Sequence, residues 1–100
     1  METERRRVAA DTCSYVTDDG ATLKMEVPLP GVKKEEIRLR VMDDTFTVTA
    51  TRDDIEYVAT GGFCCPIKTS EVNAVYDNGL LKIEVPFKDA MEDAIEVTIH

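Results

Sequence analysis

Ala74-Val-Tyr-Asp-Asn-Gly-Leu-Leu81, continued by Lys82-Ile-Glu-Val-Pro86, is the stretch that decides the fold of this chain. Asn78-Gly79 is the pair that a tight type I′ hairpin selects, because both central residues of that turn take positive φ. After the turn, apolar side chains alternate with charged ones up to Pro86, which is the pattern of a strand with one buried face. The stretch therefore predicts a structural hairpin closed by Asn78 and Gly79.

The same alternation recurs along most of the chain. Apolar residues take every second position in Leu23–Leu29, Ile37–Val41, Phe46–Ala50 and Ile95–Ile99, whereas no window of adequate length has the 3.6-residue period of a helix. Short strands separated by turn residues are typical of an antiparallel sandwich or barrel, so we expect an all-β, two-sheet fold without long helices. The expected core is formed by Leu23, Met25, Val27, Ile37, Leu39, Val41, Phe46, Val48, Ala74, Leu81, Ile83 and Val85.

Length and charge restrict the classes of partner. The chain has 100 residues, enough for one domain, and its net charge of −8 opposes binding to nucleic acid or to anionic lipid. Arg5-Arg6-Arg7 is the only basic run, and we place it in a solvated N-terminal tail. No apolar run has the length of a membrane span and no signal-peptide pattern opens the chain, so we expect neither a nucleic-acid nor a membrane partner.

The cysteines predict a reducing environment. There are three, and two of them are the neighbours Cys64 and Cys65, which bridge only with strain. We therefore expect a cytoplasmic protein without a disulfide framework. Strand alternation predicts that one of these two side chains points into the core and the other outward. The spacing does not match the C-x₂₋₄-C pattern of zinc sites, so no metal is expected.

Residues suited to catalysis are scarce. The single histidine, His100, is the last residue, and the acidic pairs lie where turns or solvated loops select Asp. No phosphate-binding, nucleophile-elbow or zinc-protease motif is present. We expect no enzyme activity and no cofactor.

Two segments resemble the small heat-shock protein, or α-crystallin, family. Val27-Pro-Leu-Pro-Gly-Val-Lys-Lys-Glu-Glu-Ile37 is similar to the family's link between its third and fourth strands, and Ala74–Pro86 is similar to its closing hairpin, with the A-x-x-x-(n)-G-V-L signature. The resemblance covers roughly Thr12 to Pro86. It implies an immunoglobulin-like β-sandwich that works as an ATP-independent holdase, binding non-native client proteins and limiting their aggregation.

The resemblance also implies a binding groove. In the family, an apolar groove between the fourth and eighth strands receives a C-terminal I-x-I/V segment from a neighbouring subunit, and Ile95-Glu96-Val97 fits that motif. A second interpretation stays open, in which Ile95, Val97 and Ile99 form a last strand of the same sandwich. The groove residues that the resemblance implies are Ile37, Leu39, Val41, Val72, Ala74 and Tyr76.

Two departures from the family pattern weaken the case for large assemblies. Only six residues separate Ala50 from Tyr57, so the long loop that some members swap between partners is missing. Cys64 follows Phe63 where the family commonly has arginine. We expect at most a weak dimer or small oligomer. These losses also favour an alternative function, a CS-domain-like adaptor or co-chaperone module that docks on a larger chaperone or ATPase partner.

The expected organisation has four parts. Residues 1–10 are a short flexible tail, 11–86 the α-crystallin-like domain and 87–94 a charged linker. Residues 95–100 are the C-terminal segment, either docking motif or final strand.

Overall fold

The computed structural model describes residues 6–88 and 95–100. Over these residues the fold is all-β, as expected, with two 3₁₀ turns, Lys34–Glu36 and Thr69–Glu71, as its helical elements. No helix in these ranges is long and apolar enough to cross a membrane. The strands are β1 (Arg6–Ala9), β2 (Cys13–Val16), β3 (Thr22–Pro28), β4 (Ile37–Val41), β5 (Thr45–Arg52), β6 (Ile55–Gly62), β7 (Asn73–Asp77) and β8 (Leu80–Pro86).

The strands form two four-stranded sheets. Sheet A has the order β1-β6-β5-β4 and sheet B the order β2-β3-β8-β7. All neighbouring strands are antiparallel except β1 and β6, which run parallel. The sandwich predicted from the alternation is therefore confirmed, with one parallel pair at the edge of sheet A.

Strand β1 corrects the prediction of a flexible tail over residues 1–10 where the two overlap, at Arg6–Ala9, whereas residues 1–5 lie outside the described residues. Val8 pairs with Tyr57 and is partly buried, while the Arg7 side chain lies 3.5 Å from the carboxylate of Glu56. Without β1, strand β6 would present an open row of backbone donors and acceptors, which sheets tend to cover. β1 has only four residues and most of its side chains are exposed, so its apolar pattern is too short to predict a strand from sequence.

The core lies between the sheets and follows the predicted alternation. Met25 and Val27 of β3 pair with Ile83 and Leu81 of β8, and all four side chains are buried. Four further predicted positions are only partly buried and pack against this core; they are Leu23, Ile37, Leu39 and Val41. The predicted positions that are fully buried are Met25, Val27, Phe46, Val48, Leu81, Ile83 and Val85.

Several core residues come from outside the predicted set. Leu29, Val32 and Ile67 belong to connections between strands, yet they are 0%, 6% and 1% exposed. Leu29 continues the alternation of β3, but Val32 and Ile67 lie outside any alternating run, so the pattern cannot show that their loops fold back over the core. Ala50 and Ala59 complete the buried set from β5 and β6.

Two of the hairpins, β5–β6 and β7–β8, have tight two-residue turns. Asn78 and Gly79 take φ values of 50° and 78°, which confirms the predicted turn between β7 and β8. Asp53 and Asp54 join β5 to β6, with Asp53 at φ 49°. A two-residue turn therefore stands where a swapped loop would be.

The cysteine pair does not follow the alternation. Both Cys64 and Cys65 are exposed, so the prediction that one of them points into the core is wrong. The physical reason is that β6 ends at Gly62, and period-2 alternation does not extend into the bend that follows. Ile67 takes the core position instead.

Candidate polypeptide-binding groove

Strands β4 and β7 each end a sheet in the described part of the chain. β4 pairs on one side with β5, and β7 pairs on one side with β8. Their other edges carry backbone N–H and C=O groups that an additional extended segment can pair with.

The two edges lie on the same side of the sandwich. β1 ends sheet A and β2 ends sheet B, and only residues 10–12 connect them. A link of that length spans little more than the roughly 10 Å between packed sheets. The edges β1 and β2 are therefore neighbours, which puts β4 and β7 together on the opposite side.

The inner face of β4 is apolar and incompletely covered. Ile37, Leu39 and Val41 pair with Ala50, Val48 and Phe46, all of which are buried. Directly paired residues point to the same face of a sheet, so these three β4 side chains face the space between the sheets. They are nevertheless only partly buried.

The inner face of β7 is more open still. Ala74 pairs with buried Ile83 and therefore faces inward, yet it is exposed. The prediction of Ala74 as a core residue is wrong, because β7 ends its sheet and no element within residues 6–88 and 95–100 covers this position. Val72, just before β7, and Tyr76 within it are partly buried. The six residues named from sequence thus occupy inward or adjoining positions at the two edges.

Tyr76 fixes one end of this opening. Its hydroxyl lies 2.7 Å from the carbonyl oxygen of Leu29 and 2.8 Å from that of Val32, and donates its proton to them. The connection between β3 and β4 is thereby held against β7. One end of the space between β4 and β7 is therefore formed by the main chain of this connection and by the buried Leu29.

The outer faces of the two edge strands differ in charge. On β4, Arg38 and Arg40 alternate with the inward apolar residues and are exposed. On β7, the corresponding outward residues are Asn73, Val75 and Asp77. A negatively charged segment added beside β4 would meet two guanidinium groups, whereas beside β7 it would meet a carboxylate.

The C-terminal segment carries three uncovered apolar side chains. Ile95, Val97 and Ile99 are 85%, 77% and 92% exposed, and residues 95–100 form no strand. The linker predicted over 87–94 falls mostly on residues 89–94, which lie outside the described residues. Phe87, at its start, instead forms an antiparallel bridge with Ile67.

No group of three or more His, Cys, Asp or Glu side chains within 6–88 and 95–100 is placed to hold a metal ion. No polar or charged residue of these ranges is fully buried.

Solved structures that superpose on this chain include heat-shock proteins of low sequence identity. Heat shock protein 16.0 from Schizosaccharomyces pombe superposes with a TM-score of 0.76 at 18% identity, covering 94% of this chain and 77% of that one. HSP18.5 from E. histolytica gives 0.71 at 12% identity, over 92% and 99% of the two chains. A small heat-shock protein from Xylella fastidiosa, described as having a distinct high order structure, gives 0.67 at 10% identity, over 90% and 96%.

The family assignment comes from the sequence itself. No curated protein matches the chain significantly. The model of the Hsp20/alpha crystallin family, however, matches residues 15–100, which include the sandwich from β2 onward and the C-terminal segment. This chain belongs to the Hsp20/alpha crystallin family.

Proposed function

We propose that this chain is an ATP-independent holdase that binds extended apolar segments of non-native proteins and limits their aggregation, in the cytoplasm. The observation that carries the proposal is the pair of edges, β4 and β7, that no further strand of the described residues pairs with and whose inward apolar residues are partly or wholly exposed. We define the groove by Ile37, Leu39, Val41, Val72, Ala74 and Tyr76.

The groove suits a weak and reversible ligand. An extended segment pairs its main chain with an edge strand and places every second side chain between the sheets. Burying two branched apolar side chains contributes about 3–6 kcal/mol, before the cost of ordering the segment is subtracted. An affinity of that size allows a client to leave without ATP hydrolysis.

We also propose that Ile95-Glu96-Val97 of a second copy competes for the same groove, pairing with β4. With Ile95 and Val97 pointing inward, Glu96 points to the outer face, where Arg38 and Arg40 lie. Opposite charges on directly facing strands stabilise the pairing, and a neighbouring carboxylate such as Asp77 would oppose it on the β7 side. The expected product is a weak dimer or small oligomer.

Aggregation of a heat-labile client, followed by light scattering, tests the holdase proposal. Ala74→Arg introduces a long charged side chain into the groove at an exposed position, so the fold is expected to tolerate it. Val75→Arg is the matched control, since it adds the same side chain to the outer face of the same strand, where Val75 is 53% exposed. We expect the wild type and the control to suppress scattering at near-stoichiometric ratios, with no effect of added nucleotide.

Comparison of the two variants distinguishes client binding in the groove from client binding elsewhere on the surface. Loss of suppression in Ala74→Arg alone supports the proposal, and equal suppression by both variants would overturn the assignment of the groove. If the wild-type protein suppresses nothing and instead co-purifies with a defined chaperone or ATPase, the adaptor function is the correct one.

A further inference from the structure

Cys64 and Cys65 lie in the connection that carries the chain from sheet A to sheet B. On the sheet A side, the backbone N–H of Phe63 donates to the carbonyl of Asp44 over 2.9 Å. The Phe63 ring also packs against Phe46, with 5.6 Å between ring centroids. The residue before the cysteine pair is therefore fixed to the first sheet.

The residue after the pair is fixed to the second sheet. The carbonyl of Pro66 accepts a hydrogen bond from the backbone N–H of Lys88 over 2.9 Å. Ile67 is buried and bridges to Phe87, directly beyond the end of β8. The two cysteines thus occupy a short span whose ends are anchored to different sheets.

The two thiols are close together and accessible. Their Sγ atoms lie 2.8 Å apart, and both side chains are exposed. Each thiol lines two surface concavities, of about 320 and 610 Å³, so a small solute can reach the sulfur atoms from either side. The hydrogen bond between the two sulfurs raises the pKa of the Cys65 thiol.

We propose that Cys64 and Cys65 form a redox modification site at which a peroxide closes an intramolecular vicinal disulfide. The Cys64 thiolate attacks one oxygen of hydrogen peroxide, the O–O bond breaks, and a sulfenic acid forms with release of water after proton transfer. The Cys65 sulfur then attacks the sulfenic sulfur, forming the S–S bond and releasing a second water. The two thiols lose two electrons and two protons, and the peroxide is reduced to two waters.

Position, rather than protonation, suits Cys65 to the second of these steps. Its raised pKa keeps it in the thiol form at neutral pH, which disfavours it as the first nucleophile. Its sulfur is nevertheless already within reach of the Cys64 sulfur and needs no large rearrangement to resolve the sulfenic acid.

The resulting disulfide is expected to be strained and easily reduced. Adjacent Cα atoms are about 3.8 Å apart across a trans peptide, less than the distance of roughly 4.4–6.8 Å that disulfides usually adopt. Strained and exposed disulfides are the labile ones. Because the bond closes no loop of other residues, it removes little entropy from the unfolded chain. The disulfide ring forms in the folded and the unfolded chain alike, so the fold is destabilised by the distortion that the ring imposes on a connection anchored at both ends. The strain acts on the connection between the sheets.

Mass spectrometry of the full-length protein treated with stoichiometric hydrogen peroxide tests the site. We expect the single peptide that contains both cysteines to lose two hydrogen atoms and to regain them with dithiothreitol. Cys13→Ser is the matched control and should behave as the wild type, because Cys13 is exposed on β2 and belongs to neither step. With a sulfenic-acid trap, both Cys65→Ser and Cys64→Ser should be labelled more strongly than the wild type, because each lacks the second sulfur that resolves the sulfenic acid.

Urea unfolding of the oxidised protein provides a second readout. We expect the midpoint to move to lower urea and to return on reduction, with no shift in a variant that lacks either cysteine. Disulfide-linked dimers as the main product, over-oxidation of both sulfurs without an internal bridge, or an unreactive pair would each overturn the proposal. These outcomes are independent of holdase activity, which none of the measurements uses.

Discussion

The backbone N–H of Leu29 donates to the carbonyl of Gly79 over 2.7 Å, and so joins the two sequence segments that resemble the family. Leu29 belongs to the Pro-Leu-Pro-Gly connection between β3 and β4, whereas Gly79 is the tip of the β7–β8 hairpin. Tyr76 adds a second link between the same segments through its hydroxyl. The two motifs are therefore joined into one structural unit, which forms the end of the groove near Leu29.

Replacing Gly79 with alanine should destabilise the protein by about as much as the same change at Gly20. Both glycines have φ above 70°, so a side chain costs roughly 1–2 kcal/mol at either position. At Gly20 an added Cβ meets no atom within 4 Å, and at Gly79 it would lie 3.4 Å from Cα of Pro30, an ordinary van der Waals distance. The backbone conformation therefore sets the cost at both positions. Urea unfolding of the two variants measures the losses, and a clearly larger loss at Gly79 would contradict the expectation.

Tyr76→Phe should lower the free energy of unfolding by about 1 kcal/mol, because it removes a hydroxyl that donates to two main-chain carbonyls. Tyr15→Phe is the control, since Tyr15 is exposed on β2 and its hydroxyl makes no hydrogen bond within the described residues. Chemical denaturation of both variants checks the expectation. A cost at Tyr15 as large as that at Tyr76 would contradict the proposed anchoring.

Asp19→Asn should weaken the fold at neutral pH but not in acid. The Thr17 hydroxyl donates to the Asp19 carboxylate over 2.6 Å and the backbone N–H of Ala21 over 3.0 Å, and these bonds lower the pKa of Asp19 in the folded protein. A lowered folded-state pKa means that the charged form stabilises the fold above the ordinary aspartate range. That contribution is lost as the pH falls through the folded-state pKa.

Thermal melts of the wild type and Asp19→Asn across this pH range give the test. Asp18→Asn is the control, because it removes the same charge from the neighbouring residue. The gap between wild type and Asp19→Asn should close as the solution is acidified. A gap that stays constant with pH would mean that the Asp19 charge does not stabilise the turn.

Changing Ile95 and Val97 to alanine should reduce the mass of any assembly without lowering thermal stability. Both side chains are almost fully exposed within the chain, so their removal leaves no cavity in the sandwich. Light scattering coupled to size exclusion measures the mass. A fall in melting temperature at unchanged mass would instead favour the interpretation of residues 95–100 as an internal strand.

Charge reversal tests which edge receives the segment. Arg38→Glu combined with Arg40→Glu should weaken binding of a labelled peptide of residues 95–100, because Glu96 would then face two carboxylates. Anisotropy titration at low salt measures the affinity, and a peptide with Lys in place of Glu96 should recover part of the loss. An affinity that is indifferent to these changes would point away from β4.

Strand positions and the hairpin turn were predictable from sequence because each depends on local pattern. Ile83 and Val85 alternate with charged residues, and Asn78-Gly79 matches the φ requirement of its turn, whatever surrounds them. Burial at sheet edges depends instead on which strands pair. Ala74 has the alternation of a core residue and is exposed only because β7 ends its sheet.

Loops and short strands were the least predictable parts. Leu29 is buried because the connection between β3 and β4 folds back onto the hairpin, a contact between residues fifty positions apart. β1 depends on an open edge of β6 that only the tertiary structure creates. The groove residues followed from the family resemblance, since partial exposure of inward-facing side chains leaves no signal in the alternation.

Hydrogen exchange of the full chain, with and without a heat-denatured client, tests the groove most directly. We expect the client to slow amide exchange in Ile37–Val41 and Asn73–Asp77, because new main-chain pairing forms along these two edges. The opposite edge of sheet B, Cys13–Val16, should be unaffected. Protection found only at Cys13–Val16, or no protection of either β4 or β7, would contradict the account.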